Sequence, residues 1–221
     1  MSLTHFLIDL SERGLVPDFL IRAGIRNLCR KRLQQCKHDD CEANAELAEK
    51  YIADSDASPM AVLTEKANQQ HYEVPAEFYR YALGKNLKYS SCYYDSNTKS
   101  LDDAEDRALA LTSEHAKLEN GLDILELGCG WGSLSLWMAK HFPDSQITSI
   151  SNSNSQREYI LGQARNRGYE NLKVITADIN EFTTESTYDR VVSVEMFEHV
   201  RNHRELFSRI HGWLKSEIGK S

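Results

Sequence analysis

The block from Ile124 to Gly132, ILELGCGWG, constrains this chain more than any other stretch. An apolar run leads into three glycines at alternate positions, Gly128, Gly130 and Gly132, and a helical pattern follows. Glycine lets the backbone turn sharply and approach a ligand closely, so the block reads as strand, ligand-binding turn and helix. The spacing is G-x-G-x-G. It is not the G-x-G-x-x-G of dinucleotide sites, where a diphosphate rests on the helix N-terminus. Glu126, just ahead of the first glycine, would repel a diphosphate and suits an ammonium group.

The rhythm after the block fixes the fold class. Residues 122–127, 146–151, 172–177 and 188–195 read as strands. Helices fall between them or after them, ending near His141, spanning 155–167 before Gly168, and spanning 204–215. Strands alternating with helices imply an α/β fold with a parallel sheet and right-handed crossovers. Residues 1–121 contain no convincing strand. Thr4 caps a short helix that Gly14 closes, Pro17 and Asp18 open a second, and Asp40 opens a third. A polar linker follows at 53–56. Ser58 and Pro59 start a further helix. Val74 and Pro75 start another, which Gly84 ends, and Ser100 caps one whose apolar face is Leu101, Ala104, Ala108, Leu111 and Leu118. The expected organisation is a helical extension at 1–57, a helical cap at 58–121 and an α/β domain at 122–221.

Composition excludes several classes. The 221 residues are 41% hydrophobic and 27% charged, as in ordinary soluble domains. The apolar run at 134–139 is broken by Ser135 and is far too short for a bilayer. Asp9, Glu12 and Arg13 interrupt the first apolar stretch, so no signal peptide is expected. Lys+Arg 26 against Asp+Glu 33 gives a net charge of -7, which argues against nucleic acid as a partner. Arg22, Arg26, Arg30, Lys31, Arg32 and Lys37 form a basic N-terminal stretch that offers peripheral contact with an anionic membrane. Five cysteines, an odd number with no C-x-x-C pair, argue for a reducing, cytoplasmic setting. His199 and His203 share a helix spacing, but no third ligand stands near them in sequence, so no metal is expected.

A glycine turn preceded by a carboxylate fits S-adenosylmethionine, which carries an amino-acid end and a sulfonium but no phosphate. Beside the glycine block stand QHYEVP at 70–75, YSSCYY at 89–94 and VEMFEHV at 194–200, with ERGLVPD at 12–18. With these blocks in order, the chain resembles the cyclopropane-fatty-acid-synthase-like class I methyltransferases, and among them the coclaurine-type N-methyltransferases. The resemblance implies a Rossmann-like sheet and S-adenosylmethionine as cofactor. It implies that Tyr89 and Ser90 close over the methionine part of the cofactor. Ser151 and Gln156 would hold the ribose in place of the usual acidic residue, although Ser153 and Gln156 also read as a helix capping box. Asp178, with Ile179 beside it, would receive the adenine amino group.

Glu195, Glu198 and His199 are the catalytic candidates. Methyl transfer from a sulfonium needs the nucleophile aligned and, for an amine, its proton removed. In cyclopropane synthases the position matching Glu195 is commonly glycine, and the residue matching Glu198 helps to hold a bicarbonate. The glutamate here, and Ser91 where those enzymes carry a cysteine, favour a small amine acceptor. A lipid acceptor, as in cyclopropane-fatty-acyl-phospholipid synthases, is the alternative. The full family sheet has three further strands. Their absence suggests a truncated domain with an exposed edge at 191–194, weak cofactor binding, little turnover and self-association. An inactive cofactor- or partner-binding form is the third reading.

Overall fold

The computed structural model describes residues 3–37, 40–62 and 76–216. The chain divides into two compact units, Met1–Asp54 and Ser55–Ser221.

The first unit is helical. α1 spans Leu3–Glu12 and α2 spans Asp18–Cys36. α3 spans Cys41–Asp56, and the Asp40 carboxylate caps it by accepting the Glu42 N–H at 2.9 Å. Gly14, at φ 70°, closes the turn after α1. α2 buries none of its residues, and Arg22 pairs with Asp18 at 2.6 Å.

Two expectations fail at the boundary. The polar linker expected at 53–56 is the last turn of α3. The helix expected from Ser58 is absent over 58–62, because tertiary partners take the backbone that a helix would use. The Ser58 hydroxyl donates back to the Ser55 carbonyl at 2.8 Å instead of capping forward. The Met60 carbonyl accepts the Arg201 N–H, and the Asn180 side chain bonds both backbone groups of Ala61. Asn202 completes the stitching: its amide nitrogen donates to the Asp56 and Ser58 carbonyls. The block at 70–75 lies outside the described residues.

The second unit holds α4 (Ala76–Ala82), α5 (Leu101–His115), α6 (Ser133–His141), α7 (Asn154–Arg167) and α8 (His203–Trp213). Its strands are β1 (Asp123–Leu127), β2 (Gln146–Ser151), β3 (Leu172–Thr176) and β4 (Arg190–Ser193). They form one sheet in the order β3-β2-β1-β4, every pair parallel. Both faces of β1 are covered, as parallel sheets require. Ile124 packs with Leu134, Met138 and Ile160 on one side. Leu125 and Leu127 pack with Phe182, Leu206 and Trp213 on the other. β4 is shorter than the run expected at 188–195, because Glu195 turns to φ 54° and Tyr188 pairs with Leu214 instead. Chain order reverses between β1, flanked by β2, and β4. Ligands of such sheets bind at the strands' carboxyl ends beside that reversal.

Candidate functional site

A cavity of about 460 Å³ opens at that point. The glycine turn forms its floor, and the three glycines have different reasons to be glycine. All have left-handed φ, 78° at Gly128, 52° at Gly130 and 83° at Gly132. A Cβ on Gly128 would lie 2.7 Å from Met196, and one on Gly132 would lie 2.6 Å from Ile160. A Cβ on Gly130 would meet no atom within 4 Å, and Gly130 lines the cavity. Gly132, expected in the binding site, lies outside the lining; its bare α-carbon lets α7 pack against the turn.

Glu126 points inward from β1 and is 3% exposed. One carboxylate oxygen accepts the hydroxyls of Ser135, at 2.5 Å, and Ser149, at 2.7 Å. Burial raises its proton affinity, and the two hydroxyls oppose that rise. Neither serine was legible as a site residue, because each reads as a neutral position inside an apolar element. Cys129, buried under the same turn, has its thiol pushed well above the ordinary range by burial and then by the Glu126 charge. That makes it a poor nucleophile.

Ser151 and Gln156, both expected at the ribose, bond each other, with a division of labour the sequence did not show. The Ser151 hydroxyl donates to Gln156 Oε1 at 2.7 Å and accepts the Ser153 N–H at 3.0 Å. Its donor is thereby used, and it aims the amide of Gln156. Gln156 is 2% exposed, and its Nε2 has no hydrogen-bond partner among the described residues. The Ser133 hydroxyl, also on the cavity wall, is likewise buried without a partner. Buried polar groups are rarely left so, and two of them facing one cavity point to a ligand with acceptor atoms. Asp178 and Ile179 line the wall beyond β3, where Asp178 accepts the Asn180 N–H at 2.8 Å.

The opposite wall is the loop after α4. Its first half is held by Glu105, a fully buried carboxylate on α5 that sequence reading passed over as one charge among many. Glu105 accepts the backbone N–H groups of Gly84, Asn86 and Lys88 at 3.0, 2.7 and 3.0 Å. Burial raises its proton affinity, against the pull of those amides. The loop then delivers Lys88, Tyr89 and Ser90 to the cavity. Tyr89 packs edge-on against Tyr79, with ring centroids 5.6 Å apart, and Tyr79 in turn contacts Trp131.

Glu195, Glu198 and His199 line the same cavity after β4. The 3-10 turn Phe197–His199 carries the last two. Ser90 donates to Glu195 Oε2 at 2.5 Å, and the Ser91 hydroxyl donates to Oε1. Those two hydroxyls, then Lys88 and His199, hold the Glu195 carboxyl below its ordinary value. Among the described residues no hydrogen bond or ion pair occupies the Glu198 carboxylate. The His203 ring bonds the Phe197 carbonyl at 3.0 Å. No group of three His, Cys, Asp or Glu among the described residues is placed to hold a metal ion.

The chain is similar to known proteins. Residues 62–218 match the family described as mycolic acid cyclopropane synthetase. The (S)-coclaurine N-methyltransferase of Thalictrum flavum subsp. glaucum is 37% identical over 212 residues, 96% of this chain and 58% of that protein. The cyclopropane-fatty-acyl-phospholipid synthase of Escherichia coli (strain K12) is 29% identical over 151 residues, 67% of this chain and 38% of that protein. A crystal structure of coclaurine N-methyltransferase bound to N-methylheliamine and SAH superposes with a TM-score of 0.88 at 34% identity, covering 98% of this chain and 62% of that one. The chain thus spans less than two thirds of the length of these relatives.

Proposed function

The chain belongs to the mycolic acid cyclopropane synthetase family, and from that we propose a methyltransferase that uses S-adenosylmethionine and acts on a small amine. The observation that carries this reading is the cavity at the β1–β4 reversal. It has unpartnered donors and an open glycine on one side, and two carboxylates with an imidazole on the other. The donor set fits the cofactor. Gln156 Nε2 suits ribose hydroxyls, Asp178 an adenine amino group, and buried Glu126 the ammonium end. The bound cofactor would supply an activated methyl group on a sulfonium.

The chain's own residues then have separable tasks. The apolar wall and the loop carrying Tyr89 exclude water and orient the acceptor. Glu198 is the group available to take the amine proton, since no protein partner among the described residues competes for it. His199 stands beside it on the same turn. The similarity to (S)-coclaurine N-methyltransferase and to a coclaurine N-methyltransferase structure bound to N-methylheliamine supports an amine over a lipid acceptor.

The test is methyl transfer from labelled S-adenosylmethionine to a panel of secondary and tertiary amines, with unsaturated phospholipid vesicles in parallel. Amine labelling is expected. Labelling of phospholipid alone would replace the acceptor, and cofactor binding without transfer to either would favour a binding role. Glu198→Gln should lower turnover by about 10²–10⁴-fold, as for loss of a general base, with little change in cofactor affinity. Turnover at the wild-type rate in that variant would remove Glu198 from the chemistry.

A further inference from the structure

Glu195, at φ 54°, and Ser91, at φ 56°, both have left-handed backbones although neither is glycine. They lie 104 positions apart in sequence and touch each other. Such backbone is costly for residues with a Cβ and persists only where the surroundings hold it. Here one carboxylate does the holding, with Ser90 on one oxygen and Ser91 on the other.

The loop between α4 and α5 is held unequally along its length. At its start, Glu105 is buried and grips three backbone amides. Farther along, the Tyr93 N–H donates to the Ala104 carbonyl of α5 at 3.1 Å, and between these points, among the described residues, the side-chain ties of Ser90 and Ser91 to the rest of the chain are the exposed pair of bonds on Glu195. Solvent competes for exposed bonds and not for buried ones, so the loop is built to release at Glu195 while holding at Glu105.

We propose that Glu195 is a positioning residue, a strained latch that ties Ser90 and Ser91 to the end of β4 and thereby closes Tyr89 over the cavity. It rests on the cofactor reading of the same cavity and assigns the amine proton to Glu198 alone. A carboxylate with both oxygens accepting hydroxyls is a weak base, consistent with its lowered proton affinity.

Glycine fits a left-handed position without strain, which separates a latch from an ordinary structural residue. Glu195→Gly should leave the thermal midpoint unchanged or raised, yet free the loop. Chymotrypsin should then cut after Tyr89 several times faster in Glu195→Gly, Glu195→Ala and the double variant Ser90→Ala/Ser91→Ala, all without ligand. Glu195→Gln, which keeps an acceptor oxygen, should be cut at an intermediate rate. Combining Glu195→Ala with the double serine variant should add nothing further. Unchanged cleavage in Glu195→Gly and Glu195→Ala, or effects that multiply in the combined variant, would overturn the latch. The same set titrated with S-adenosylhomocysteine should lose affinity in the order of cleavage. Absence of binding by the wild type in that arm counts against the cofactor reading, while the cleavage arm still decides the latch.

Discussion

Gly128, Gly130 and Gly132 look interchangeable in sequence and are not. At Gly128 and Gly132 a methyl group would collide with Met196 and Ile160, and the left-handed backbone adds strain. Each alanine variant there should lose about 3 kcal/mol in urea unfolding. Gly130→Ala carries the backbone strain alone, so it should lose about 1 kcal/mol and stay folded. Equal losses at all three would contradict the assignment. Glu126 adds a pH signature. Burial raises its carboxyl in the folded chain, so the native state holds that proton more tightly than the unfolded state. Its contribution is fully present below the ordinary carboxylate range and is lost as pH rises through that range to the raised value. Urea midpoints of Glu126→Gln should therefore gain on the wild type as pH rises from about 4, the ordinary carboxylate range. A difference that stays flat with pH would show that Glu126 is not buried as described.

Among elements, those with local signals were legible and those fixed by distant partners were not. Gly168 at φ 72° and Ser153 bracket α7 as their residue types suggest. β2 runs over the expected residues, because its apolar positions and flanking turns agree. The structure brings Glu126, Gln156 and the segment from Glu195 to His199 around one cavity, and of these Gln156 stood out in the sequence only through the family resemblance. No helix forms over 58–62, where Asn180 and Asn202, more than a hundred residues away, take the backbone bonds. On α5 the buried stripe is Ala104, Glu105, Ala108, Leu109 and Ser113, rotated from the face that leucine spacing suggests. Glu105 is the reason: a carboxylate in the core is invisible to hydrophobic periodicity, since only the amides it grips explain its burial. Glu105→Leu would leave those amides without acceptors and should cost about 3 kcal/mol. The Lys88 amide should then exchange with solvent at loop-like rates. Retained protection at Lys88 would mean that something else anchors the loop.

At the scale of the molecule, the chain divides into Met1–Asp54 and Ser55–Ser221, with the division inside α3. Among the described residues no helix is long and apolar enough to cross a membrane. The parallel sheet was legible because strands alternate with helices, and the structure orders its strands β3-β2-β1-β4. That order puts the glycine turn, Gln156, Asp178 and the Glu195–His199 segment around one space, although they are scattered over some seventy residues of chain. The central claim is that this space is a nucleoside-sulfonium site. Titration calorimetry with S-adenosylhomocysteine, on the wild type and on Gly130→Val, tests it most directly. The account predicts binding by the wild type and none by the valine variant, whose side chain would fill open cavity while far-ultraviolet dichroism stays native. Equal binding by the two proteins, or binding of NAD in place of S-adenosylhomocysteine, would contradict it.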